Sequence, residues 1–179
     1  MKTAVIVIDM LKDFLTGALA CKRGVAIVPQ TEELVSKARK ANVPVVFCCD
    51  AHTESDPEMA LWGKHAMAGT KGAEVIDELA PQKGEYVVPK RNYSGFWQTD
   101  LDKILKSMGV DTLVFCGIHT HLCVQHTVAD AFFDGYATII ASDATTAFTE
   151  DDNIRGKEYM KSTYGTKVMT NKEIFEKLF

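Results

Sequence analysis

The chain is short of several things that would point to common functions. It has five cysteines, Cys21, Cys48, Cys49, Cys116 and Cys123, an odd number with no Cys-x-x-Cys spacing. Neither a disulfide framework nor a thiolate zinc knuckle is favoured, and a reducing cytoplasm is the simplest compartment. Basic residues are in deficit, with 20 Lys and Arg against 24 Asp and Glu, and the formal net charge is -4. No footprint for nucleic acid follows from that balance. Long apolar runs are lacking too. The one at the amino terminus, "MKTAVIVIDMLKDF", is broken by Asp9, Lys12 and Asp13 after about six residues, too short for a signal h-region or a membrane span. No internal repeat, low-complexity tract or linker divides the 179 residues, so they read as a single domain, 1–179. A chain of this size can withdraw roughly 70% of its unfolded surface from water, enough for a substantial core.

What is present is an alternation of two periods. The runs "TAVIVID" (3–9), "VPVVFCC" (43–49), "EYVVP" (85–89), "DTLVFCG" (111–117), "ATIIAS" (137–142) and "TKVMT" (166–170) are short, apolar and rich in β-branched residues, as strands buried on both faces require. Between them, 29–42, 98–109, 121–135 and 153–165 carry a helical period. Thr99 with Asp102 resembles a helix-start pattern, and Gly109, Gly135 and Gly165 stand where helix ends are expected. The fold class predicted is α/β, a three-layer, doubly wound, six-stranded parallel sheet with helices on both faces. Residues 50–81 interrupt the alternation. Only "GAEVIDELA" (72–80) looks helical there, and long loops in compact domains are often functional.

In such a sheet, ligands bind beyond the carboxyl ends of the strands. Asp9, Asp50 and Lys90 end the first three strands, and the turn "GIHTHLC" follows the fourth, so all four features share one edge. Cys123, on the first turn of the following helix, meets the positive end of a helix dipole, which favours the thiolate. Cys116 lies within an apolar strand and reads as core. Asp50 and His52 are two residues apart, so in an extended segment both side chains can face one way, and Glu58 and His65 follow at a loop's distance. Two carboxylates and two imidazoles suit zinc, with manganese or iron as alternatives; Asp56 is a second acidic candidate.

The stretches "VIVIDMLKDF", "DAHTESDPEMALWGKHAMAGTKGAEV", "VPKRNYSGF", "VFCGIHTHLCVQHTVADA" and "SDATTAF", in this order and spacing, resemble the isochorismatase-like cysteine hydrolases, a superfamily that includes nicotinamidases. The likeness runs over nearly the whole chain. It implies a catalytic triad of Asp9, Lys90 and Cys123, an oxyanion hole from the backbone N–H groups of His119 and Cys123, and a non-proline cis peptide at Ile118–His119. It also implies a divalent-metal set of Asp50, His52, Glu58 and His65, as in some nicotinamidases, where the metal holds the pyridine nitrogen. Residues at the positions of Phe14, Trp62, Tyr93 and Phe96 surround a flat substrate in relatives. His119 matches a variable turn position, His121 one that often carries Asp or Asn, and His126 reads as a packing residue. Trp97 is assigned to a helix start or a subunit contact. Relatives are commonly homo-oligomers, dimers or tetramers.

The activity that follows from the resemblance is an amidohydrolase of the cytoplasm acting on a small-molecule amide, foremost a nicotinamidase working through a cysteine thioester. A metal-independent amidase of the N-carbamoylsarcosine type and an isochorismatase-like hydrolase of another substrate stand as alternatives. Neither nucleic acid nor a membrane is an expected partner.

Overall fold

The computed structural model describes residues 2–179. Six parallel strands, β1 (Thr3–Ile8), β2 (Val45–Asp50), β3 (Tyr86–Lys90), β4 (Thr112–Ile118), β5 (Ala137–Thr146) and β6 (Lys167–Met169), form one sheet in the order β3-β2-β1-β4-β5-β6. The chain winds outward from β1 to β3, returns to the centre, and winds the other way from β4 to β6. The α/β doubly wound class is thus as the sequence predicts.

Every residue of β1, β2 and β4 is buried, which is why these segments carry no alternating polar face. Successive side chains of β1 enter two different cores. Val5 and Val7 pack with Leu34, Val35 and Ala38 of α3 (Val28–Lys40) and Ile174 of α8 (Asn171–Leu178). Ala4, Ile6 and Ile8 pack on the opposite face with Leu101 and Leu105 of α5 (Leu101–Met108), Val128 and Ala131 of α6 (Gln125–Phe133), and Met160 of α7 (Glu150–Tyr164). Each of these Val, Leu, Ile and Met side chains contributes about 1.5–3 kcal/mol by burial. The edge strands are marked differently. β3 is half exposed and holds Pro89, which an edge tolerates, and β6 is only three residues long with Lys167 outward.

Several boundaries differ from the periodic reading. The segment 72–80 is not one helix but two 3-10 turns, Lys71–Ala73 and Asp77–Leu79. Val75 bridges Leu11 in antiparallel fashion, and Ile76 N–H donates to Met10 O at 3.1 Å, so pairing with the chain after β1 overrides a helical spacing of apolar residues. β5 extends to Thr146, because a register shift between Phe115 and Gly117 lets the strand keep pairing with β4. Thr99 does not cap α5 as its N-cap residue; its hydroxyl accepts from Leu101 N–H while Asp100 stands at the cap, and Asp102 pairs with Lys106. Four helices lie outside the predicted segments: α1 (Lys12–Leu15), α2 (Lys22–Ala26) and α4 (Met59–Trp62) are too short to show a period, and α8, with Ile174, Phe175 and Leu178 at helical spacing, follows β6 directly. α8 is started by a capping box between Thr170 and Glu173 that "TNKE" does encode.

The return of the long loop to β3 is clipped by one ion pair. Arg39 of α3 meets Glu85 with Nε 2.8 Å from Oε1 and a second nitrogen 2.8 Å from Oε2, and it also donates to Ala80 O. Burial pushes the Glu85 carboxyl up, but Arg39 outweighs it and holds the pKa below the usual value. A depressed carboxyl stabilises the fold above its unfolded pKa and loses that contribution as pH falls through the folded one. We therefore expect Glu85→Gln to cost about 1–2 kcal/mol in urea unfolding near pH 7. The gap from wild type should close in acid; an undiminished gap at about pH 3 would contradict the pairing.

Candidate active site

The carboxyl ends of β1 to β4 bring the expected residues together. Asp9 follows β1 in a left-handed conformation (φ 51°), which a short acid tolerates, and this turns its carboxylate back over the sheet edge. Asp50 N–H donates to Asp9 Oδ1 at 2.8 Å. Asp50 and Lys90 are register partners at the ends of β2 and β3. Lys90 is 1% exposed, its Nζ 2.8 Å from Asp9 Oδ2 and hydrogen-bonded to Asp50 Oδ1 and to Asn92 O.

The chain leaving β4 passes close behind β1. Gly117 has φ 107°, and a Cβ there would fall 2.0 Å from Ile8 O, so only glycine fits. The next peptide, Ile118–His119, is cis. A π turn, Thr120–Val124, follows, closed by Val124 N–H donating to His119 O at 3.3 Å, and α6 continues from it. Thr120 ties this turn to α7 by a 2.8 Å bond to Asn153, whereas His121 Nδ1 has no partner. Cys123 thus lies in the π turn, before the regular helix. Its Sγ and carboxylate oxygens of Asp9 and Asp50 lie within 4.8 Å of one another, which sets the thiol beside Asp9.

The charges set the protonation states. Burial pushes the Cys123 thiol well up, and Asp9 and Asp50 add to this against the opposing Lys90. The dipole-favoured resting thiolate expected from the sequence is therefore corrected: desolvation and two carboxylates outweigh a helix terminus. Burial raises Asp9 to about 6, and the charge of Asp50 helps. For Asp50 burial acts upward too, but Lys90 and His52 hold its carboxyl below the usual range. Burial would lower Lys90, yet the carboxylates Asp50 and Asp9 hold its ammonium well above the ordinary value. One carboxylate is thus poised as a proton acceptor, while its neighbour remains ionised.

The second cluster adjoins the first through Asp50. One ligand atom from each of Asp50, His52, Glu58 and His65, all buried, lies within 4.8 Å of the others. His52 Nδ1 faces Asp56 Oδ2 at 3.1 Å, and His65 Nδ1 faces Gly63 O at 2.8 Å. Each imidazole is thereby oriented to offer Nε2 inward, the outer bonding that metal-ligating histidines use. Asp50 Oδ2, His52 Nε2 and Glu58 Oε1 are buried with no hydrogen-bond partner, and a cation would satisfy all three. The donor set therefore fits a divalent metal. Asp56 is not in the inner group; Arg91 Nε, 3.0 Å from its Oδ1, holds its carboxyl well below the usual range. The loop bearing these residues is anchored by Asp13, whose Oδ2 accepts from Ala66 N–H at 2.8 Å.

A small pocket opens onto both clusters. Phe14, Trp62 and Tyr93 line it beside Cys123, Asp50 and Glu58. Trp62 Nε1 donates to the Tyr93 hydroxyl at 3.0 Å. Phe96 is not among the lining residues: it packs against Tyr136 in the core below, ring centroids 6.0 Å apart, so its expected place at the substrate is corrected. His126 stacks on Tyr93 at 5.4 Å, and half-exposed Trp97 lies outside this pocket. Phe148, beyond the end of β5, is a lining residue that sequence reasoning missed, although it closes the quoted "SDATTAF". It stacks on His119 at 3.7 Å and on Trp62 at 6.0 Å. Larger cavities exist, one between β5, β6 and α7, but it contains none of these ionisable residues.

The metal-like cluster makes a measurable statement. Glu58 is raised to about 7, by burial first and then by Asp50, and His52 is raised by its carboxylates against the effect of burial. Both carry protons near pH 6, and a bound cation must displace them. Calorimetric zinc titration in buffers of different ionisation enthalpy should show one site per chain, with proton release near pH 6 that diminishes as pH rises through about 7, where Glu58 gives up its proton. No release, or a site retained in His52→Ala, would remove the assignment.

Comparison with known proteins agrees with this geometry. The isochorismatase domain family matches residues 3–173. The isochorismatase family protein YwoC of Bacillus subtilis is 32% identical over 184 residues, covering 99% of this chain and 94% of its own. Among solved structures, N-carbamoylsarcosine amidase from Thermoplasma acidophilum superposes with a TM-score of 0.90 at 40% identity, covering 96% of this chain and 97% of that one. The zinc complex of a pyrazinamidase from Pyrococcus horikoshii gives 0.88 at 31%, covering 95% and 99%. No helix among the described residues is long and apolar enough to cross a membrane. The chain belongs to the isochorismatase family and is a hydrolase of amide carbon–nitrogen bonds.

Proposed function

We propose that the protein is a nicotinamidase, converting nicotinamide and water to nicotinate and ammonia. The observation that carries this reading is the second cluster: two oriented imidazoles and two carboxylates, buried with unpartnered atoms, beside the cysteine and under aromatic walls. In a metal-independent amidase Asp50 and His52 would have to be structural, and their unpartnered buried atoms would stay unsatisfied at a cost in stability. The pyrazinamidase neighbour, whose structure is a zinc complex, supports the same class of flat aromatic amide.

In this mechanism the substrate ring lies among Phe14, Trp62 and Tyr93. When bound, a divalent ion held by Asp50, His52, Glu58 and His65, zinc in the first instance, would supply a Lewis-acidic anchor for a ring nitrogen. Asp9 takes the Cys123 proton as Sγ attacks the amide carbon, and the carbonyl becomes an oxyanion at the backbone N–H groups of His119 and Cys123. The carbon–nitrogen bond then breaks as Asp9 returns the proton to the leaving nitrogen, giving ammonia and a thioester. Water attacks the thioester, Asp9 accepts its proton, and collapse releases the carboxylate and restores the thiol. Lys90 stays an ammonium throughout and keeps Asp9 and Asp50 in place.

The direct test is ammonia release from nicotinamide by purified protein, before and after chelation and with zinc, manganese or iron restored. Activity should vanish with chelator and return with metal; turnover indifferent to chelation would shift the reading to a metal-independent amidase. Cys123→Ala should lower kcat by at least about 10⁴-fold, since the nucleophile itself is lost. Because Asp9 must be unprotonated to act, kcat/KM should fall as pH drops through about 6. A flat profile between about pH 5 and 7 would exclude Asp9 as the base.

A further inference from the structure

His119 contributes more to this pocket than its backbone. Its ring lines the space in front of Cys123 together with Phe14, Leu122 and Phe148. It stacks on Phe148 at 3.7 Å with planes 22° apart and meets Phe14 edge-on at 6.1 Å. The residue is 4% exposed, yet neither ring nitrogen has a hydrogen-bond partner. Burial, reinforced by His121, drives its pKa down to about 3, so the ring is neutral and offers one N–H donor and one nitrogen acceptor. A buried polar pair left unsatisfied in the protein is available to whatever fills the pocket.

The pocket also lacks a free positive charge. No Lys or Arg is among its lining residues, while Asp50 and Glu58 are. The nearby ammonium of Lys90 is committed to Asp9 and Asp50. A divalent ion held by the second cluster would be balanced by its own two carboxylates. A substrate carboxylate would find no side-chain cation here, and away from the metal cluster it would be left desolvated, at a high cost.

We propose that the side chain of His119 is a specificity-determining group, an uncharged donor–acceptor that hydrogen-bonds small neutral amides in a pocket that rejects amides bearing a carboxylate. This deepens the preceding reading and rests on it in one respect, that the pocket at Cys123 is the substrate site. It does not require the substrate to be nicotinamide.

The test uses two alkylating reagents of similar size and the same leaving group, iodoacetamide and iodoacetate, one a neutral amide and the other an anion. With either, Sγ of Cys123 displaces iodide, forming a carbon–sulfur bond, and the thiol proton passes to Asp9. Second-order rates at Cys123, located by peptide mass, are compared in wild type, His119→Phe and His119→Gln, with chelator and with zinc. Iodoacetamide should exceed iodoacetate by at least about tenfold more than it does with glutathione. His119→Phe, which keeps a flat ring on Phe148, should slow iodoacetamide about tenfold, and His119→Gln should recover most of that. Tenfold corresponds to about 1.4 kcal/mol, one hydrogen bond. Wild-type protein gives an independent readout, because alkylation by iodoacetamide tethers an amide beside His119. Its ring ¹⁵N resonances should move by several ppm. A reagent ratio equal to that of glutathione, an undiminished rate in His119→Phe, or unmoved ring resonances would each overturn the proposal. Failure to hydrolyse nicotinamide with these results intact would remove the nicotinamidase reading alone.

Discussion

The ammonium of Lys90, buried at the end of an edge strand, is the group on which the rest of the site depends. An unpaired charge in that position would be prohibitively costly, and removing one partner of such a buried pair typically costs about 3–5 kcal/mol. Asp9 and Asp50 are its counter-charges, and they come from the two strands inside it. The ion triad therefore clamps the carboxyl ends of β1, β2 and β3 in one plane. It also divides the two acids electrically. Asp50 stays ionised with Lys90 on one oxygen and His52 Nε2 3.4 Å from the other, while Asp9, more desolvated than compensated, is left able to take a proton.

Asp50 thereby belongs to both halves of the site. One carboxylate oxygen is held by the lysine and the other faces the imidazole cluster, so the thiol and a prospective metal are tied to a common scaffold. Their relative position is set by strand register rather than by loops. The loop that supplies the other three potential ligands is itself restrained: Asp13 holds Ala66, Arg91 holds Asp56, and His52 pairs with Met67 in a parallel bridge. Polar atoms left without partners are confined largely to this region, including Glu58, His52 and His119. Stability is sacrificed there for groups that remain available to a ligand.

Much of the sheet was legible because parallel strands buried on both faces must be continuously apolar. "TAVIVI" and "TLVFCGI" admit little else, and the residues ending those strands had to meet at one edge. The helix expected at 72–80 was not legible. Its apolar spacing is helical, but the partner that claims Val75 and Ile76, the chain from Met10 to Leu11, is more than sixty residues away. Phe96 and Phe148 teach the same lesson in opposite directions. Sequence neighbourhood to Lys90 suggested a pocket role for Phe96, yet its side chain turns down onto Tyr136. Phe148 reaches the pocket only because β5 runs four residues further than its apolar core.

The sequence by itself determined the fold class, the shared edge of Asp9, Asp50, Lys90 and Cys123, and the spacing of Asp50, His52, Glu58 and His65. These follow from chain periodicity and from motifs whose order is preserved. Only the tertiary structure decided how protons are distributed among them and which side chains face the ligand. Protonation depends on desolvation and on charges a few ångströms away across different strands, quantities that no local pattern encodes. That is why Cys123, read from its helix terminus as a ready thiolate, is a buried thiol beside Asp9, and why His119, a turn residue by sequence, presents an unpartnered ring to the pocket.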